Sequence, residues 1–432
     1  MSPSTTSRSM KSLVAVFFAL FCISLIQTPA VMAEDKIYLD IAANQTRKIK
    51  FAVPSFASKG GGQNLGTELA DILGKALAFH GIITIIPASD YGGDQSANWK
   101  QVGADYVVLG QFSASGDGLS FELRLQDATS GSTVLGKSFS GSMDQKYSML
   151  YKFCDSIIES LTGKPGIASS QIAFISYVGN SKEAYITDIL GSFLRRVTRH
   201  NNLVISPRFT RDGKFLAYSS YHTGNQNMYI TDLSQNKTTK LLFRHKGLNY
   251  APAWSHSGQY LIVTLSKDGN PDLYLCTPQG EIIEQLTNNQ GINVSASWSP
   301  DDSKIVFTSD RTGKPQLYTM DMRTRQTQRL TFEGSENAEP CWSPTEDMIV
   351  YSSLTGGVYQ LFMIRASGGS PIQLTDDLSH HESPFWSPDG NQVIFAKRGG
   401  KAHTINAIMK NGSFQRQLFS FPGDHTYPQW SR

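Results

Sequence analysis

Six of the nine histidines of this chain fall in a few short segments, and those side chains suit two chemistries: metal ligation and recognition of a charged partner. The segments hold His200, His222, His245, His380, His381 and His425, with Tyr250, Ala251, Glu382 and Asp424 near them, while Asn293 and Glu339 stand at matching places in stretches without histidine. His380-His381-Glu382 supplies ligand types for a transition metal, but adjacent residues share one ion only where the loop folds back on itself. A cation held by carboxylates and carbonyls in a channel is the better-fitting ion chemistry, and no other cofactor is expected. Nucleophilic hydrolysis has no support, because no G-x-S-x-G elbow occurs. Gly60-Gly61-Gly62 precedes a helical pattern without the Lys-Ser/Thr of a phosphate loop or the G-x-G-x-x-G spacing, which leaves a strand-to-helix turn.

A repeat brings the polar residues together. Phe209, Trp254, Trp298, Trp342, Trp386 and Trp430 stand at steps of 45, 44, 44, 44 and 44 residues. A period in that range marks small sheets that bury their faces only by stacking on neighbours. Each aromatic is followed by a turn pair such as Asp212-Gly213 or Asp389-Gly390, then an apolar run such as Ile305-Val306-Phe307. A glycine turn comes next, then a third strand carrying Tyr229, Tyr274, Tyr318 or Phe362, and an ending such as Leu330-Thr331. Four strands per period make a propeller blade. The copy starting near Pro165 lacks its first strand, while Pro428-Gln429-Trp430-Ser431 is a first strand with no repeat following it. The C-terminus is therefore expected to complete the first blade and close a ring of six, removing open sheet edges. Loops before each aromatic and turns between second and third strands should emerge on one face, which gathers the histidines named above.

The N-terminus predicts export. Arg8 and Lys11 precede an apolar stretch from Leu13 to Ile26, with a small-residue exit at Val31-Met32-Ala33. Residues 1–33 are expected to be a cleaved signal peptide, and no segment has the length of a membrane span. Removing Arg8 and Lys11 takes the formal net charge from +3 to +1, so nucleic acid is not an expected partner. Cys154, Cys276 and Cys341 remain, too few and too widely spaced for a disulfide framework or zinc site; Cys276 and Cys341 fall at strand positions suited to small buried side chains.

Residues 34–165 have another rhythm, and a small α/β domain is expected there. Strands are predicted at Ile49–Phe56, Ile82–Pro87, Tyr106–Phe112, Leu119–Leu125 and Thr133–Phe139. Helices are predicted over Asn64–Phe79, around Trp99, and over Gln145–Leu161. The fold expectation is an all-β six-bladed β-propeller of WD40-like (PD40) repeats, residues 166–432, preceded by this α/β domain.

The signal, the α/β domain, the Trp-Ser-Pro-Asp-Gly repeats and the closing strand together resemble the TolB family, periplasmic propellers of the Tol-Pal system in Gram-negative bacteria. Local carriers of the resemblance include Glu34-Asp35-Lys36-Ile37-Tyr38-Leu39-Asp40, Val107-Val108-Leu109-Gly110-Gln111, Leu161-Thr162-Gly163 and the stretch from Ser309 to Tyr318. The resemblance implies a non-catalytic periplasmic protein that maintains outer-membrane integrity and supports invagination at division. The implied partners are the lipoprotein Pal at the propeller face and TolA at the extreme N-terminal segment, with other outer-membrane proteins and bacteriocins as further candidates. It carries His245, the Ala251 to Trp254 stretch and Asn293 over as Pal contacts. His200, Tyr250, Glu339, His381, Glu382 and His425 are expected on the same face. Ile37, Tyr38, Leu39 and Asp40 are expected to form a TolA-binding strand by β-augmentation. The alternative is a propeller-type polysaccharide lyase using a His/metal site.

Overall fold

A computed structural model describes residues 47–60, 63–235, 237–288 and 290–431; the expected signal peptide and the strand Ile37, Tyr38, Leu39 and Asp40 lie outside the described residues. The first domain has strands β1 (Ile49–Ala52), β2 (Ala57–Ser58), β3 (Ile83–Ile85), β4 (Tyr106–Ser115), β5 (Gly118–Asp127) and β6 (Thr133–Ser142). Its helices are α1 (Gln63–Phe79), the single turn α2 (Trp99–Val102) and α3 (Lys146–Thr162). The sheet order is β3-β1-β4-β5-β6 with β2 on β4; β1 runs parallel to β3 and β4, and β4 to β6 form an antiparallel meander. The strand expected over Ile49–Phe56 stops at Ala52, where Pro54 follows and removes a ladder donor.

The two long helices form because their apolar residues recur at helical spacing. Leu69, Ile72, Leu73, Ala76 and Leu77 of α1 and Leu150, Phe153, Cys154, Ile157 and Leu161 of α3 are buried. α3 ends at Gly163, whose φ of 70° is the left-handed cap that an L side chain resists.

Six four-stranded sheets follow, each built in chain order except the first. Blade 1 has the order Asp424–Trp430, Gln171–Val178, Ser181–Asp188, Arg195–Arg196, so the C-terminal strand is its innermost strand. Trp430 pairs with Ile172 and His425 with Ser176. The inner strands of blades 2 to 6 are Val204–Phe209, Asn249–Trp254, Asn293–Trp298, Asn337–Trp342 and His380–Trp386, each ending on the periodic aromatic. The Ser and Asp of the repeat hold the turn that follows. In blade 4 Ser299 Oγ donates to Asp301 at 2.7 Å and accepts from the Lys304 amide at 2.9 Å; blade 6 repeats this with Ser387, Asp389 and Gln392.

The first domain sits on the face where the inner strands end. Its core is continuous with Ile172 and Phe174 of blade 1 and Ile394 and Ile405 of blade 6. Gln392 Nε2 and Arg416 Nη2 both donate to the Phe79 carbonyl, at 3.1 and 2.9 Å. Gly81 turns the chain at φ 76°, and a Cβ there would stand 2.6 Å from Met409 Sδ.

Candidate partner-binding face and channel

The opposite face carries the loops that precede the inner strands and the turns between second and third strands. His200 and His222 meet there with ring centroids 3.9 Å apart, and Ser220 Oγ lies 2.7 Å from His200 Nδ1 and 3.1 Å from His222 Nδ1. Burial and the adjacent His222 push the His200 pKa down to about 4. His245 lies half-buried in the next loop, its amide donating to Asn249 Oδ1 at 3.0 Å. That loop turns at Gly247, φ 81°, where a Cβ would fall 2.2 Å from Ser266 Oγ. His380 stands beside Tyr359, ring centroids 6.0 Å apart. Three apolar side chains project from loops of this face: Ile292, Phe332 and Leu378, the last two 74% and 95% exposed. Their sequence signal was a lone apolar residue in a polar loop: Asn, Gln and Gly before Ile292, Glu, Gly and Ser after Phe332, and Asp and Ser around Leu378.

Strand alternation divides the remaining expected residues, since successive side chains point to opposite sides. The residue five before each aromatic is an interior peg. Asn293 is fully buried, its Nδ2 donating to Asp272 Oδ1 at 2.9 Å and to the Gly291 carbonyl at 2.8 Å while Arg311 donates to its Oδ1 at 2.9 Å. Asn337 makes the equivalent bond to Gln316 at 2.8 Å. Asp272 and Gln316 also accept from Thr287 and Thr331, at 2.7 and 2.8 Å, so the Leu-Thr ending of one blade is tied to the inner strand of the next. His381 and His425 occupy the same position in blades 6 and 1. Their rings are buried, at 5.3 Å from Phe395 and 5.2 Å from Phe174, and burial lowers both pKa values. The expectation that Asn293, His381 and His425 present their side chains on the open face is therefore corrected: they pack within the ring.

The residue four before the aromatic faces the axis, and there Tyr250 and Glu382 lie. His403 links Glu382 to the closing strand: its Nε2 is 3.5 Å from Glu382 and its Nδ1 2.7 Å from Asp424. The bond to Glu382 raises the His403 pKa; burial opposes this and Asp424 adds to it. His380, His381 and Glu382 do not converge, and among the described residues no group of three His, Cys, Asp or Glu side chains is placed to hold a metal ion.

The residue three before the aromatic is where every inner strand bulges. Ser206, Ala251, Ser295, Glu339, Ser383 and Tyr427 have φ between 52° and 56°, each inside a register shift against the second strand. Five of the six are followed by proline, at Pro207, Pro252, Pro340, Pro384 and Pro428, which has no amide to leave unpaired. That recurrent proline was the sequence signal for the bulge. Ala251 is buried against the channel, and Glu339 is held by Ser383, whose amide donates to Oε2 at 2.6 Å and whose hydroxyl donates to Oε1 at 3.0 Å. Burial nonetheless raises the Glu339 pKa. The hydroxyl of Tyr250 bonds those of Ser206, in the adjacent blade 2, and of Tyr427 in blade 1.

Comparison with known proteins adds relatives to this geometry. The family model described as the TolB beta propeller domain matches residues 158–432, and that of the TolB amino-terminal domain matches residues 37–134. The Tol-Pal system protein TolB of Desulfotalea psychrophila (strain LSv54 / DSM 12343) is 56% identical over 216 residues, 49% of this chain and 49% of that protein. The protein of the same name from Desulfosudis oleivorans (strain DSM 6200 / JCM 39069 / Hxd3) is 36% identical over 279 residues, 61% of this chain and 63% of that one. The chain thus spans about half, and in the second case 63%, of the length of these relatives. The crystal structure of TolB from Acinetobacter baumannii aligns with a TM-score of 0.79 at 28% identity, covering 89% of this chain and 97% of that one.

Proposed function

This chain belongs to the TolB propeller family, and on that premise we propose that it is a periplasmic, non-catalytic component of the Tol-Pal system. In this reading the ring is a rigid platform, and the face away from the first domain receives the lipoprotein Pal. The observation that carries the proposal is the position of His200, His222, His245, Phe332 and Leu378 on one face that the first domain leaves open. Binding residues favour loops held by a rigid scaffold, and exposed apolar anchors ringed by polar groups supply most of the energy of such contacts. The N-terminal strand Ile37, Tyr38, Leu39 and Asp40 is proposed to bind TolA by strand addition. Through both contacts the protein would support outer-membrane integrity and invagination at division. The lyase alternative is not favoured: His381 is buried against Phe395 while Glu382 is engaged by His403, so the cluster suggested by the sequence offers no common ligand point.

The test is capture of a peptidoglycan-associated lipoprotein from envelope extract by the exported form, beside His245→Ala and Leu378→Asp variants. Capture by the parent, with at least tenfold loss in Leu378→Asp, supports the reading. Equal capture by all three moves the site elsewhere, and no capture by the parent removes the Pal assignment. Deleting residues 34–41 should abolish TolA binding and leave Pal binding intact; retained TolA binding would refute the strand-addition proposal.

A further inference from the structure

Arg208 precedes the aromatic of blade 2 and reaches across the channel to Phe385 of blade 6, its guanidinium carbon 5.8 Å from that ring's centroid. A guanidinium carries five N–H donors. Among the described residues its one hydrogen bond runs from Nη1 to the Pro207 carbonyl, 3.2 Å, and no carboxylate of those residues pairs with it. The acid that faces it, Glu339, is already engaged by Ser383 through both oxygens. Burial lowers the Arg208 pKa, and Glu339, which opposes this through space, makes no direct ion pair with it.

This group lies in a cavity of about 110 Å³. Tyr250 and Tyr427, joined through their hydroxyls, line it on the side of the histidine loops, while Thr210, Arg211, Ser255 and His256, just past the aromatics, line its other end, where Arg211 is exposed. It therefore opens on the face that carries the first domain, away from the proposed Pal surface. Its lining holds two arginines, Arg208 and Arg211, against one acid, Glu339, and adds the hydroxyls of Ser206, Ser295 and Ser297. Planar, forked donors of this kind match a carboxylate bidentately. The volume suits a carboxylate with a short stem, because a single water needs only about 10–15 Å³ of such space.

We propose that this cavity is a receptor for one carboxylate, bound by the Arg208 guanidinium and admitted past Arg211. The carboxylate is either that of a small solute or that of an acidic side chain. Trp254, Trp298, Trp342 and Trp386 line the cavity, so intrinsic fluorescence reports its occupancy. The full chain is titrated at constant ionic strength with acetate, succinate and N-acetyl-aspartate amide, against chloride and sulfate. A saturable response to a carboxylate is expected, weakened at least tenfold in Arg208→Gln and partly recovered in Arg208→Lys. Saturation by acetate or succinate assigns a solute; saturation by the aspartyl compound alone assigns a side chain. No saturable response to any carboxylate, an equal response to sulfate, or an unchanged midpoint in Arg208→Gln overturns the proposal. Arg211→Gln, at an exposed position, covers the case in which Arg208→Gln does not fold. A two- to fivefold weakening supports entry past Arg211, and an unchanged midpoint overturns it.

Discussion

The ring of Phe79, the last residue of α1, meets the indole of Trp430 edge to face with centroids 5.9 Å apart. One side chain ends the main helix of the first domain, and the other ends the strand that closes the ring. The contact therefore links the docking of the first domain to the strand that closes the ring. Phe79→Ala should lower stability by about 3–5 kcal/mol, and chemical denaturation followed by far-UV dichroism and tryptophan emission should give coincident transitions in the parent. Separate transitions in the parent would mean the two domains unfold independently.

Asn293 and Asp272 form the buried tie between blades 4 and 3. Asn293→Asp places a second carboxylate where Nδ2 now lies, 2.9 Å from Asp272 Oδ1. A loss above about 2 kcal/mol is expected near neutral pH. The Arg311 guanidinium, 2.9 Å from Oδ1, favours the ionised form; where repulsion from Asp272 and burial outweigh it, the new carboxyl has a folded pKa above its unfolded value, so stability is retained below about pH 4 and lost as pH rises through the folded value. Asn293→Ser should cost less and show no such slope. Thermal midpoints across pH distinguish the two variants.

Ala251 tests the bulge. At φ 52° a β-branched side chain is strained, so Ala251→Val should destabilise by roughly 1–3 kcal/mol. Ala251→Gly should stay within about 1 kcal/mol of the parent, because relief of strain offsets greater freedom of the unfolded chain. Equal effects of Val and Gly on the thermal midpoint would exclude the backbone explanation.

His403 is the group whose titration should be felt by the ring. Its folded pKa is raised, chiefly by the bond to Glu382. The stabilisation is therefore fully present below the unfolded histidine value, about 6.5, and is lost as pH rises through the folded value. Glu382 and Asp424 have lowered pKa values, so their share is present above the unfolded carboxylate range and lost on acidification through the folded values. The clasp is strongest in mildly acidic solution. His403→Gln should flatten the alkaline limb of midpoint against pH, and an unchanged limb would remove His403 as its cause.

The sequence by itself determined the blade count, the four strands of each blade and the ring closure. These depend on a periodic aromatic and local turn chemistry, and Ser299 with Asp301 holds its turn through neighbours a few residues away. The helices of the first domain were legible for a similar reason: Leu69, Leu73 and Leu77 repeat at one turn's spacing. Tertiary structure decided which polar side chains face outward. His245, in a loop, is half-exposed, whereas His381 and His425 sit on strands whose alternation and bulge turn them inward. Residue type gives no sign of that difference, because it is set by register against the neighbouring strand and by what the adjacent blade offers as a partner. The meeting of Arg208, Tyr250, Glu339 and Tyr427 around one axis was equally hidden. Four different blades supply those residues, and only closure of the ring brings them within reach of one another.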